Sequence, residues 1–338
     1  MDFKCFLISI ALLCEACISA EVPTVQLNDG RQMPAFGFGT WLGFQADGML
    51  LEPVKDDSVQ KAVEAAIDAG YRHIDTAAIY KTEAQVGRAI NKKIAEGVVK
   101  REDVFVTTKL WNDHHAQSKV VPALRESLSE LNLEYIDLYL IHWPMAQYEN
   151  GTDEDIDYLE TWKGMIDARE AGLTKSIGVS NFNQEMLERL IKETGVKPAV
   201  LQIEVNLNLQ QPTLRSYCQQ QGIAVMGYSP FGSLYGVRAT PGAPPPRADD
   251  PSLLSIGERY NKTVAQVVLR YLVQLGVTPI PKTVNPTRVQ ENINIFDFQL
   301  SDDEMAVLRG FDKSYRVIGV PFWMNSTYYP FEKTVANR

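Results

Sequence analysis

Cysteine and histidine are scarce in this chain, and long apolar runs are scarcer still. Only four cysteines occur in 338 residues, and three of them, Cys5, Cys14 and Cys17, fall within the first twenty. Beyond that segment only Cys218 remains, so a disulfide-stapled scaffold is excluded there. The four histidines, His73, His114, His115 and His142, are poor material for a metal centre. His114 and His115 are adjacent, which suits a solvated loop better than one shared ion, so no metal is assigned and a metal-dependent hydrolase is not expected. Positive charge is short too. A net charge of -9 argues against a nucleic-acid surface, while leaving room for a local basic pocket. No segment is apolar for long enough to span a bilayer comfortably.

The first twenty residues differ from the rest of the chain. Lys4 precedes an apolar run from Phe6 to Cys14, small residues come next at Cys17, Ser19 and Ala20, and polar sequence begins at Glu21. That layout predicts a secretory signal peptide over 1–20, cut after Ser19 or Ala20, with a membrane anchor as the alternative. The expected location is the secretory pathway or outside the cell, with no membrane contact after cleavage. Sequons at Asn150, Asn261 and Asn325 add weak support.

With 45% hydrophobic residues, the remaining 21–338 can bury one large core. A hairpin is expected around Asp29-Gly30. After it, short β-rich runs begin at 35, 71, 104, 136, 176, 200, 223 and 277. Amphipathic stretches such as Ser58 to Gly70 lie between them. Eight alternations over about 300 residues predict an α/β fold, a (β/α)8 TIM barrel. A doubly wound open sheet is the alternative. Two long loops, Leu42 to Asp57 and the proline-rich Ala239 to Pro251, fall on the face where strands end. The stretch Gly37 to Gly43 superficially resembles a dinucleotide fingerprint, but its glycine spacing is wrong and no helix comes directly after it.

Polar residues collect at the carboxyl ends of the strands: Asp75, Lys109, His142, Ser180-Asn181, Gln202, Tyr228 and Lys282. One such residue would be an ordinary cap. Seven sites at the same end of different strands converge, in a barrel, on one face. A phenol has a pKa of about 10 and needs help to work as an acid near neutrality. Tyr80 has that help nearby: Lys109 is expected to lower its pKa, with Asp75 holding the lysine charged and His142 orienting a carbonyl. The set suits protonation of an alkoxide as hydride arrives at its carbon, and hydride requires a cofactor.

The motifs GYRHIDTAAIYKTEAQVG (Gly70 to Gly87) and IPKTVNPTRVQENI (Ile280 to Ile293), with TKLW, IHWP, IGVSNF, LQIEVN and YSPFGS between them, resemble those of the aldo-keto reductase family. The resemblance runs from Val25 to about Tyr329. It implies a catalytic tetrad of Asp75, Tyr80, Lys109 and His142, with Tyr80 as general acid. It implies NADPH as cofactor. Ser180, Asn181 and Gln202 would hold the carboxamide, Tyr228 would stack on the ring, and Gly39 and Thr40 would lie near it, with Asp75 at the ribose. Ser229, Phe231 and Ser233 would line the pyrophosphate path. Lys282, Thr283, Asn285 and Arg288 would grip a 2′-phosphate, with Glu291 and Asn292 on the adenine. Trp41, Tyr80, Trp111, His142, Trp143 and Trp323 would wall a pocket for a small hydrophobic carbonyl substrate, with Phe322 beside them. The export layout and long first loop are similar to secreted insect 3-dehydroecdysone 3β-reductases of that family. A monomer is expected. The alternative is a cofactor-binding homologue that is not an enzyme.

Overall fold

A computed structural model describes residues 21–43, 56–236 and 242–333. The expected signal peptide, most of the first long loop and the start of the proline-rich loop lie outside the described residues.

The chain opens with an antiparallel hairpin of β1 (Thr24–Gln26) and β2 (Gln32–Pro34), turned at Gly30 with φ +88°. Eight parallel strands come next: β3 (Phe38–Gly39), β4 (His73–Asp75), β5 (Phe105–Leu110), β6 (Ile136–Ile141), β7 (Thr174–Ser180), β8 (Val200–Glu204), β9 (Ala224–Tyr228) and β10 (Val277–Pro279). Each pairs with its sequence neighbour, in order from β3 to β10. The two edges also meet: Gly37 and Gly39 donate their backbone N–H to Pro279 and Pro281 at 3.0 Å each. Gly39 must be glycine for this approach, because a Cβ there would stand 2.8 Å from the Ile280 carbonyl oxygen. The fold is therefore the (β/α)8 architecture, with shorter strands than the sequence runs suggested.

Helices fill the crossovers: α1 (Ser58–Asp68), α2 (Glu83–Ala95), α3 (Gln117–Leu131), α4 (Tyr158–Glu170), α5 (Gln184–Thr194) and α6 (Pro212–Gln221). Between β9 and β10 there are two, α7 (Pro251–Tyr260) and α8 (Val264–Gln274), and α9 (Pro286–Ile293) and α10 (Asp302–Arg309) lie after the last strand. Helix α1 shows why these segments coil. Val59, Ala62, Val63, Ala66 and Ile67 form its buried stripe at spacings of three and four, and Gly70, at φ +100°, lets the chain turn away.

Period two along each strand separates two cores. Outward residues such as Ile74, Val106, Tyr139, Ile141, Ile177, Val179, Leu201 and Ile203 pack with the helices. Inward residues, among them Phe105, Leu138, Leu140, Val200, Met226 and Ile280, join Leu27 and Met33 of the hairpin in an inner cluster. The hairpin thus plugs the amino end of the barrel, and the carboxyl end is left for polar groups.

Candidate active site

Continuing the inward alternation by two residues gives the site. His73 leads to Asp75, Thr107 to Lys109, Leu140 to His142, Gly178 to Ser180, Val200 to Gln202, Met226 to Tyr228 and Ile280 to Lys282. All but Lys109 line one cavity of about 1110 Å³ at the carboxyl ends of the strands, or lie directly beneath it. Gln202, which sits in mid-strand, reaches the site all the same: its amide nitrogen donates to Asp75 Oδ2 at 2.8 Å.

Lys109 lies fully buried beneath the cavity floor. Its ammonium has three N–H bonds and three acceptors: Asp75 Oδ1 at 2.7 Å, the Thr76 carbonyl at 2.9 Å and the Tyr80 hydroxyl oxygen at 3.3 Å. Burial pushes the Asp75 carboxyl up and the Lys109 ammonium down, and the charge of each opposes the shift in the other. Tyr80 closes a short 3-10 turn, Ala78–Tyr80. Its ring faces Trp41 at 6.3 Å and meets His142 edge-on at 5.6 Å.

The sequence expectation for the Tyr80 pKa is reversed. Burial, with the negative charge of Asp75 and the presence of Tyr228, holds the phenol well above its ordinary value of 10.0. Burial and the Asp75 charge both disfavour the phenolate, so Tyr80 is kept as a protonated acid. Burial and the Lys109 charge together hold His142 well below 6.5, as a neutral imidazole.

Around this group the expected nicotinamide contacts are assembled. Gly39, Thr40, Ser180, Asn181, Gln202, Tyr228, Ser229 and Phe231 all border the cavity. The Tyr228 hydroxyl donates to Asn181 Oδ1 at 2.7 Å, and Asn181 Nδ2 donates to the His142 carbonyl at 2.9 Å. Asn181 and Ser229 are held at φ +62° and +47°, a strained conformation that concentrates at working sites. Ser233 departs from expectation. It is fully buried, and its hydroxyl donates to Asn208 Oδ1 at 2.9 Å instead of facing the cavity.

Lys282 lines the far end of the cavity, and α9 begins shortly beyond it. Asn285 caps that helix by accepting from the Thr287 and Arg288 N–H groups, and Thr283 accepts from the Asn285 N–H at 3.1 Å. Arg288, on the first turn, and Glu291 on the next are exposed, while Asn292 is buried. Two cations beside a helix N-terminus make a set suited to a phosphate monoester. These residues do not border the main cavity themselves, Lys282 apart.

Much of the remaining wall is aromatic, with Asp113, Gln147, Glu149 and Asn150 among its polar members. Trp41, Trp111, Trp143, Phe322 and Trp323 border the cavity, with Trp323 packed against Trp143 at 5.3 Å and Trp111 at 6.0 Å. Of the adjacent histidine pair, only His114 is partly solvated. His115, expected on a solvated loop, is fully buried, because its ring turns inward and Nδ1 meets the Thr161 hydroxyl on α4 at 3.2 Å. Among the described residues no three of His, Cys, Asp and Glu gather as a metal site. Sequence reasoning also passed over Glu204. It is two residues beyond Gln202 on the same inward face, and that spacing was the available signal.

A barrel that sets a buried ion pair under a protonated phenol, beside a neutral imidazole and a long cleft, defines an oxidoreductase site for carbonyl and alcohol groups. The chain belongs to the aldo/keto reductase family, whose model matches residues 35–313. It is an NADP-dependent oxidoreductase. It is 50% identical over 313 residues to aldo-keto reductase AKR2E4 of Bombyx mori, covering 93% of this chain and all of that one. It is 40% identical to mouse aldo-keto reductase family 1 member D1, over 93% of this chain and 98% of that one. The crystal structure of AKR2E4 in complex with NADP superposes with a TM-score of 0.87 at 50% identity, over 92% of this chain and 99% of that one. That of AKR2E5 complexed with NADPH gives 0.90 at 48%, over 94% and 96%.

Proposed function

We propose that the protein reduces a hydrophobic aldehyde or ketone to the alcohol, with NADPH as cofactor and Tyr80 as proton donor. The observation that carries this reading is the satisfaction of Lys109. Its third N–H goes to the Tyr80 oxygen, so the phenol's own proton is left for the cavity. A carbonyl oxygen held there by Tyr80 and His142 receives that proton as its carbon is reduced. When bound, NADPH supplies the hydride to that carbon. The chain's residues suit this cofactor: Ser180, Asn181, Gln202 and Tyr228 for the nicotinamide end, Ser229 and Phe231 along the path, and Lys282, Thr283, Asn285 and Arg288 for the 2′-phosphate, with Glu291 and Asn292 at the adenine. Ser233 could join them only by leaving Asn208.

The aromatic walls favour a large apolar substrate, and a 3-oxo ecdysteroid is the finer reading. We also propose that residues 1–20 are removed on export and that the mature chain works as a monomer. Following NADPH absorbance with a panel of aldehydes and ketosteroids, a 3-oxo ecdysteroid included, tests the function. Turnover is expected, with kcat/KM for NADPH well above that for NADH. Failure of every panel member, or an NADH value equal or higher, would overturn it.

A further inference from the structure

We propose that Glu204 is the positioning residue that latches the C-terminal segment across the cavity, and so decides which carbonyl compounds fit. The proposal rests on the reading of this cavity as the substrate site. After α10 the described chain has no helix or strand beyond one short turn, Pro321–Trp323. A segment without ladders of its own is placed by its anchors. Yet Val317, Ile318, Val320, Phe322 and Trp323 border the cavity.

Glu204 provides the innermost anchor. Its carboxylate is fully buried and splays across two successive backbone groups, Val317 N–H on Oε1 at 2.9 Å and Ile318 N–H on Oε2 at 2.8 Å. Asn206 Nδ2 adds a third donor to Oε1 at 3.0 Å. Burial raises the carboxyl, while Arg316 and these N–H groups pull it back. A buried carboxylate is costly unless it meets such donors, and here most of them belong to the tail. Other anchors act further out: the Asn208 carbonyl accepts from the Lys313 and Tyr315 N–H groups, Tyr329 donates to the Gly319 carbonyl at 2.6 Å, and Asn183 donates to Pro330.

Beyond the latch the backbone is strained. Val320 is β-branched, yet sits at φ +40°. That bend turns the chain so that Trp323 packs on Trp111 and Trp143. Glu204 also shares β8 with Gln202, which holds Asp75, so the tail is fastened to the strand that positions the acid's support.

The test is Glu204→Gln in the full chain. Glutamine keeps one acceptor and points an N–H pair at the other tail amide. Three readings are taken: amide exchange of the tail by mass spectrometry, NADPH affinity, and KM and kcat for benzaldehyde and for a four-ring 3-ketosteroid. Peptides spanning 315–320 should exchange about tenfold faster or more, as expected on losing a hydrogen bond to a charge. Exchange in β8 and the NADPH Kd should stay unchanged. KM for the ketosteroid should rise about tenfold, while benzaldehyde, too small to reach the tail, is reduced as before. Unchanged tail exchange, or equal losses for both carbonyls, would overturn the latch. Should the variant not fold, Glu204→Asp keeps the charge but is one methylene too short to reach both tail amides, and the same pattern is required of it. If the wild-type chain reduces neither compound, the proposed function fails, and the exchange data still decide the latch.

Discussion

Lys109 shows how one side chain can fix the orientation of another. With its three N–H bonds placed on Asp75, Thr76 and Tyr80, it orients the phenol, while burial and the Asp75 charge keep that phenol protonated. Reduction needs the protonated form, so its rate is lost only as pH rises through the Tyr80 pKa, which lies above 10.0. Asp75→Asn removes one cause of the raised value. The alkaline limb of the reduction profile should therefore move to lower pH, and a limb that stays put or moves up would contradict the account. The same change strands Lys109 in the barrel, which should cost about 3–5 kcal/mol in a urea titration. Asp75, Lys109, His142, Ser180 and Gln202 were legible in the sequence because period two carries inward positions to the strand ends. The sign of the Tyr80 shift was not, because desolvation depends on a cavity that no spacing reveals. His115 was misjudged for the same reason: its burial comes from α4, dozens of residues away.

At the scale of elements, the join between β3 and β10 and the start of α9 are the most exacting. Gly39→Ala would push a methyl into the Ile280 carbonyl, so a loss of about 1–3 kcal/mol is expected from the urea midpoint. At α9, Lys282→Ala or Arg288→Ala should raise the KM for NADPH about tenfold while barely changing that for NADH, as charge-assisted contacts to a phosphate are worth roughly that much. Equal effects on both cofactors would remove Lys282 and Arg288 from the phosphate site. All eight strands were legible as short apolar runs, and seven of them also carry a polar residue towards the carboxyl end. The doubled helix α7–α8 between β9 and β10 was not, because the proline-rich stretch ahead of it carries no helical period. Asp250 caps α7 by accepting from Ser252 and Leu253, a local signal visible only once the helix is seen.

For the whole molecule, the barrel closes at one end with a hairpin and at the other with a cavity, and the tail completes the cavity wall. Protein collected from the medium of secreting cells should start at Ala20 or Glu21 by mass spectrometry, and an intact Met1 would contradict cleavage. The central claim is that Tyr80 gives the proton. It is tested most directly by comparing Tyr80→Phe with the wild-type chain for NADPH-dependent reduction of one ketosteroid, with NADPH affinity measured alongside. The account predicts a fall in kcat of about 10²–10⁴-fold with the NADPH Kd nearly unchanged. Retention of most of the activity would contradict it.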